Sequence, residues 1–252
     1  MADLFESSRQ KLARADKHFA ELQREIFAFN NLQPYERVIE AHPDKPGHTV
    51  EKIRMTQPIP AGIADNTADI AISLRSALDN AGYAIAIAAG ASNPKHCAFP
   101  FAGGVANMPS ALGRCKDIPE KIHPLFCGFQ PYKGGNDLLW ALNEIANTDK
   151  HRMVIPIGQA FARHGVNVRG TGFFSMPDPH FWNRDKNEME LIELGPGATY
   201  QYDFQFRFFI AFHDIEIIDG QSITRVLHDM GRIVERLLLA IEAEARRLKI
   251  VT

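Results

Sequence analysis

Two short runs set charged side chains inside otherwise apolar helical patterns. In Leu74-Arg75-Ser76-Ala77-Leu78-Asp79-Asn80, Arg75 and Asp79 stand four residues apart, one helical turn, so both project from the same side of the helix. In Asn143-Glu144-Ile145-Ala146-Asn147-Thr148-Asp149-Lys150-His151-Arg152, a helical pattern gives way to a strand pattern through the polar residues Thr148 to Arg152. That run holds an acid, Asp149, two cations, Lys150 and Arg152, and an imidazole, His151. His151 is the side chain that could carry a proton near neutral pH. Arg75, Lys150 and Arg152 could hold the charge of a phosphate. His151 and Arg75 are therefore the candidate catalytic residues, and Asp79, Asn147, Asp149, Lys150 and Arg152 the candidate binding residues. The same cluster has a structural reading, in which Arg75 and Asp79 form a buried ion pair, Asp149 pairs with Arg75 and Asn147 caps a turn.

Other site signatures are missing. The chain has no glycine-rich phosphate loop, no Gly-x-Ser-x-Gly, no His-Glu-x-x-His and no EF-hand loop. Gly103-Gly104 and Gly134-Gly135 read as turn glycines, since no lysine stands at the phosphate-loop offset. The three cysteines, Cys97, Cys115 and Cys127, lie 18 and 12 residues apart. They offer neither a disulfide framework nor the close cysteine pair of a zinc site, even with His96 and His123 nearby. No metal and no cofactor is expected. Residues 150–186 carry six cations, Lys150, Arg152, Arg163, Arg169, Arg184 and Lys186, against Asp178 and Asp185. Phe173, Phe174, Phe181 and Trp182 interleave with them, so this stretch reads either as a solvated strand-and-loop face or as a surface for RNA or another anionic ligand.

The elements that must position these groups are legible from periodicity. Apolar residues at three- and four-residue steps predict helices over 3–29, 66–90, 136–149 and 221–249. A nearly all-aliphatic run after Asn80 marks 66–90 as the central, buried helix, with Gly90 to end it. Ser222 or Gln221 is placed to cap the last helix, and Arg246, Arg247 and Lys249 suit the negative end of its dipole. Alternating runs at 35–41 and 49–55 around Pro43-Asp44-Lys45-Pro46-Gly47 predict a hairpin. A short helix is expected near 119–126, and strands over 153–162, 165–174, 188–194 and 200–217. The last has its phenylalanine face turned toward the C-terminal helix. Clustered rather than alternating strands predict an α+β fold with an antiparallel sheet. The expected organisation is one compact domain over 1–252: a helical part to about 152 with the hairpin at 35–56, then the sheet and C-terminal helix from about 153. Arg75 and Asp79 are expected to face residues 147–152 across the paired helices 66–90 and 136–149.

Leu74 to Asn80, followed by Phe99-Pro100, Gln130-Pro131-Tyr132 and the 147–152 run, resembles a family of uncharacterised bacterial proteins. Its members carry an LRSALDH … FP … QPY … DKHR order, and the resemblance spans residues 70–152. Asn80 stands where that pattern has histidine, so chemistry needing that imidazole is not expected here. A more distant similarity is to HEPN-type helical domains, some of which are RNA-cleaving toxins with four to six residues between an arginine and a histidine at a helix end. His151 ends a helix, but no arginine stands at that offset. Asn147 is the nearest polar residue, and Arg75 would have to act from another helix.

With 252 residues, 45% hydrophobic, the chain is long enough to bury a core without disulfides or metals. Its 28 Lys and Arg against 30 Asp and Glu give a net charge of −2, which disfavours broad non-specific nucleic-acid binding. The N-terminal residues show no signal peptide. The most apolar helical run, 81–91, falls well short of the roughly 20 residues of a membrane span. These features, with the odd cysteine count, suggest a cytoplasmic protein with no membrane partner. Three functions follow in order: a binding or interaction protein, with a homodimer through the C-terminal helix as one form; a HEPN-like RNA-cleaving or other phosphodiester-acting enzyme centred on His151; and a small-molecule binding protein.

Overall fold

The computed structural model describes residues 3–148, 154–162, 169–176, 182–183, 186–201 and 204–251. It is an α+β fold with long helices, an antiparallel sheet and an N-terminal hairpin. The elements are α1 Glu6–Asn31, β1 Tyr35–Ala41, β2 Thr49–Met55, α2 Ala61–Ala88, α3 Met108–Leu112, α4 His123–Gly128 and α5 Asp137–Asn147. Then come β3 Val154–Ala162, β4 Arg169–Thr171, β5 Phe174–Ser175, β6 Trp182–Asn183, β7 Glu188–Leu194, β8 Thr199–Gln201, β9 Phe204–Phe212 and α6 Ile223–Arg247. None of the described helices is long and apolar enough to cross a membrane.

The chain folds into two compact units, each drawn from separate stretches of sequence. One comprises Met1–Arg24, Ala61–Val154 and Phe212–Thr252, the other Glu25–Pro60 and Ile155–Ala211. The C-terminal helix thus belongs with the helices, and the hairpin with the strands.

In the helical unit, α2 packs against α5 and α6. Ile70, Leu74, Leu78 and Ile85 of α2, Leu139 and Leu142 of α5, and Val234 and Ile241 of α6 are all buried. Helix α2 starts directly after Pro60, five residues earlier than its apolar stripe alone predicts. It ends as expected at Gly90, whose left-handed backbone (φ 99°) lets the Gly90 and Ala91 amides reach the Ile87 and Ala86 carbonyls. Asn136 caps α5 by accepting the Leu139 amide at 3.2 Å. Ser222 occupies the N-cap of α6, but its hydroxyl meets Thr224 Oγ1 instead of a backbone amide.

In the other unit, β1 and β2 pair as the predicted hairpin, from Tyr35 opposite Met55 to Ala41 opposite Thr49. β7 adds to β2, with a register shift at Glu51 and Lys52, and β5 and β6 pair with β7. Ile53, Met189, Leu191 and Ile192 bury one patch of this sheet under Tyr35, Phe174, Trp182 and Leu194. The long strand expected over 200–217 is instead β8, paired with β4, and β9, paired with β3. It stops at Phe212 because the chain turns: Asp214 takes a left-handed conformation, and Phe212 binds Gln221 and Gly220 through its backbone. The side chains of 204–208, and with them most of the phenylalanine face, lie outside the described residues.

Candidate functional site

The motif residues of the helical unit gather around one extended segment, residues 95–102, laid along α2. Its backbone is held almost atom by atom by side chains. Asp117 Oδ2 accepts the amides of Lys95 at 2.6 Å and His96 at 2.8 Å. The Asp117 amide returns a bond to the His96 carbonyl. Cys115 Sγ donates to the Ala98 carbonyl at 3.1 Å, and Arg114 donates to the Phe101 carbonyl at 2.6 Å. Asp79 Oδ1 accepts the Phe99 amide at 2.8 Å. The Ala102 amide reaches the Pro131 carbonyl, which joins the Phe-Pro and Gln-Pro-Tyr motifs. An extended strand outside a sheet must find such partners, because a buried amide without one is costly.

Gly82 explains how closely this segment approaches the helix. A Cβ there would lie 2.1 Å from the Cys97 carbonyl oxygen and 3.0 Å from Ile118 Cδ1. Phe99 then packs among the rings of Phe101, Phe126 and Phe129, with centroids 4.9, 5.4 and 6.3 Å away.

Arg75 lies one turn before Asp79. Its Nη1 donates to Asn147 Oδ1 at 2.8 Å, and its guanidinium carbon sits 5.9 Å from the centre of the Phe101 ring. The Asn147 amide is oriented by its own bond to the Asn143 carbonyl at 2.8 Å, and Thr148 Oγ1 takes the Glu144 carbonyl at 2.7 Å. The end of α5 is therefore closed by side chains, and that closure turns an acceptor toward Arg75. Arg75 Nε is shielded from solvent and has no hydrogen-bond partner among the described residues.

Arg75 and Asp79 do not form an ion pair; Asp79 is engaged by a backbone amide. Burial pushes the Asp79 carboxyl above the usual carboxylate range, outweighing the opposing effects of the Phe99 bond and the nearby Arg75 charge. Asp117 is the contrast: bonds from the His96 and Lys95 amides hold its carboxyl below the usual range. Burial drives the Cys115 thiol up to about 11, which makes it a poor nucleophile.

Of the residues singled out by sequence, the structure brings Arg75 and Asn147 into contact and sets Asp79 one turn away on α2. Asp149, Lys150, His151 and Arg152 lie outside the described residues, as does most of the basic stretch from 150 to 186. Among the described residues no group of three or more His, Cys, Asp and Glu side chains is placed to hold a metal ion.

Sequence reading missed Arg114 and Asp117, and weighed Cys115 only for disulfide or zinc chemistry. It also missed a charged cluster in the other unit, where Lys52 Nζ lies 2.6 Å from Glu40 and 2.9 Å from Glu188. Arg54 grips Glu188 at 2.7 Å, and Arg37 pairs with Glu51. Burial pushes Glu188 up, but the bonds from Arg54 and Lys52 prevail and hold it below the usual carboxylate range. Its charges are mutually paired, which is the signature of a structural network. Only the alternation of charged residues along β1 and β2 hinted at it.

No protein family, characterised protein or solved structure matches the chain.

Proposed function

We propose that this chain is a binding protein that takes up an anionic group at Arg75. One observation carries the reading. Arg75 is held in place by Asn147 and Phe101, is partly exposed, and has no carboxylate in ion-pair contact among the described residues. A guanidinium presents its donors as a planar fork suited to phosphate or carboxylate. Holding it beforehand lowers the ordering cost of binding. The sequence after Asn147 adds Lys150, His151 and Arg152 within five residues, a composition suited to an RNA backbone phosphate.

The test is the anisotropy of a labelled single-stranded oligoribonucleotide titrated with the protein at two salt concentrations. Binding should weaken with salt. Arg75→Ala should lower affinity by about tenfold or more, with Arg75→Lys between the two. Absence of binding, or an Arg75→Ala variant that binds like the parent, removes the reading. Cleavage of the oligoribonucleotide that disappears in His151→Ala at unchanged melting temperature would replace it with the HEPN-like nuclease reading.

A further inference from the structure

The helical unit also contains a cavity of about 220 Å³ between α1, α2 and α6. Its apolar lining comes from Leu12, Ile70, Leu74 and Leu227. Four titratable side chains, Asp16, His228, Arg232 and Glu235, line it as well, and all four are exposed. Asp16, Arg232 and Glu235 make no side-chain hydrogen bond or ion pair among the described residues, although Arg232 and Glu235 are three residues apart on one helix, at pairing distance in sequence. Nearby helix residues do pair: Arg246 binds Glu242 at 2.5 Å, and Arg247 binds Glu244 at 2.7 Å. His228 meets the Phe19 ring at 6.2 Å, edge of the same cavity.

We infer that this cavity is a site for a small amphipathic zwitterion, of the chemical class of a free α-amino acid with an apolar side chain. Size sets the first limit. The volume is below the roughly 300–1,000 Å³ of sites for larger small molecules. At about 30 Å³ per water it equals some seven waters, which suits a ligand of roughly seven to ten non-hydrogen atoms. Charge sets the second. A purely anionic ligand would meet two carboxylates beside Arg232, and a purely cationic one would leave Arg232 unmatched. A zwitterion satisfies both signs, its carboxylate toward Arg232 and His228 and its ammonium toward Asp16 and Glu235. The leucine and isoleucine floor then takes the apolar side chain.

Gly231 gives the inference a clean variant. It lines the cavity, and a Cβ built there meets nothing within 4 Å. Gly231→Leu therefore fills space in the cavity while improving helix propensity. The experiment is calorimetric titration of the full chain with L-leucine and L-methionine. Glycine, isocaproate and isoamylamine serve as probes lacking the side chain, the ammonium and the carboxylate respectively. At least one of the two amino acids should bind saturably. Each partial probe should bind about tenfold more weakly or worse, and Gly231→Leu and Arg232→Gln should each lower the affinity by a similar factor. A circular-dichroism melt shows that both variants fold. Failure of both amino acids to bind at millimolar concentration overturns the inference. So does isocaproate or isoamylamine binding as well as its parent, or Gly231→Leu binding unchanged. Arg75 is absent from this lining, so Arg75→Ala should leave amino-acid binding intact, which separates the outcome here from that of the anion site.

Discussion

Gly82→Ala and Gly231→Ala make the same substitution in the interiors of two long helices, and the structure expects opposite results. Helix propensity alone favours alanine by about 1 kcal/mol at both positions. At Gly231 nothing stands within 4 Å of the new methyl group, so most of that gain should survive. At Gly82 the methyl group would sit 2.1 Å from the Cys97 carbonyl oxygen, more than 1 Å inside ordinary contact. Helix α2 is buried on the relevant side, with Ala81 and Leu78 fully enclosed, so the segment at 95–102 must yield. Overpacking of this kind costs about 1–3 kcal/mol. A displacement near 1 Å also breaks the 2.8 Å bond from the Phe99 amide to Asp79, worth about 1.5–3 kcal/mol for a charged acceptor. Subtracting the propensity gain leaves Gly82→Ala destabilised by about 1.5–5 kcal/mol and lowers the melting temperature by roughly 3–20 °C. Gly231→Ala should rise by a few degrees. Thermal denaturation followed by circular dichroism reads both. A Gly82→Ala protein as stable as the parent would show that the segment does not lie against α2 at this distance, and the geometry built around Asp79 would fall with it.

Asp79→Asn keeps an oxygen acceptor for the Phe99 amide but removes a carboxyl whose folded pKa is raised by burial. A raised carboxyl contributes stability that is present below its unfolded value and lost as pH rises through the folded one. The variant should therefore match the parent in acid and gain on it toward neutral pH; denaturant melts showing a loss at neutral pH would refute the burial argument. The same variant removes a negative charge one helical turn from Arg75 and should tighten oligoribonucleotide binding, which the anisotropy titration measures directly. In the other unit, Lys52→Met leaves Glu188 buried with Arg54 as its remaining ion-pair partner among the described residues. That should cost about 2–4 kcal/mol in urea denaturation, and Lys52→Met/Glu188→Met should recover part of the loss; an unchanged midpoint in the single variant would mean that the cluster is not buried.

The elements set by local physics were legible, and the pairings set by distant parts of the chain were not. Apolar stripes placed α1, α2, α5 and α6 to within a few residues because a helix shows its buried face in its own sequence. The hairpin was legible because Pro43 to Gly47 can hardly be anything but a turn. The partner of β2 was not, since β7 lies some 140 residues away and carries nothing that names β2. β9 read as continuous with β8, because alternation continues through both while the turn after Phe212 depends on tertiary bonds. At the site, the rule that a buried charge needs a partner led from Arg75 to the end of α5. The same rule misjudged Asp79, because it weighed side-chain cations and overlooked backbone amides. Asp117 and Arg114 were invisible for that reason: their partners are peptide groups, which every residue has and no sequence pattern marks.

That distinction also bears on the choice between binding and catalysis. An acid–base residue must give up or take a proton at a substrate, so a carboxylate already accepting main-chain amides is poorly available for it. Asp117 accepts two such amides and Asp79 one. Both hold the segment at 95–102, and Cys115, its thiol bonded to the Ala98 carbonyl, does the same. Arg75, by contrast, is partly exposed and is held by the neutral Asn147 amide and the Phe101 ring, with no carboxylate in ion-pair contact among the described residues. A guanidinium cannot act as a proton carrier near neutral pH. What it can do from a fixed position is hold an anion. These bonds favour the proposed anion-binding reading, and His151→Ala tests the catalytic alternative.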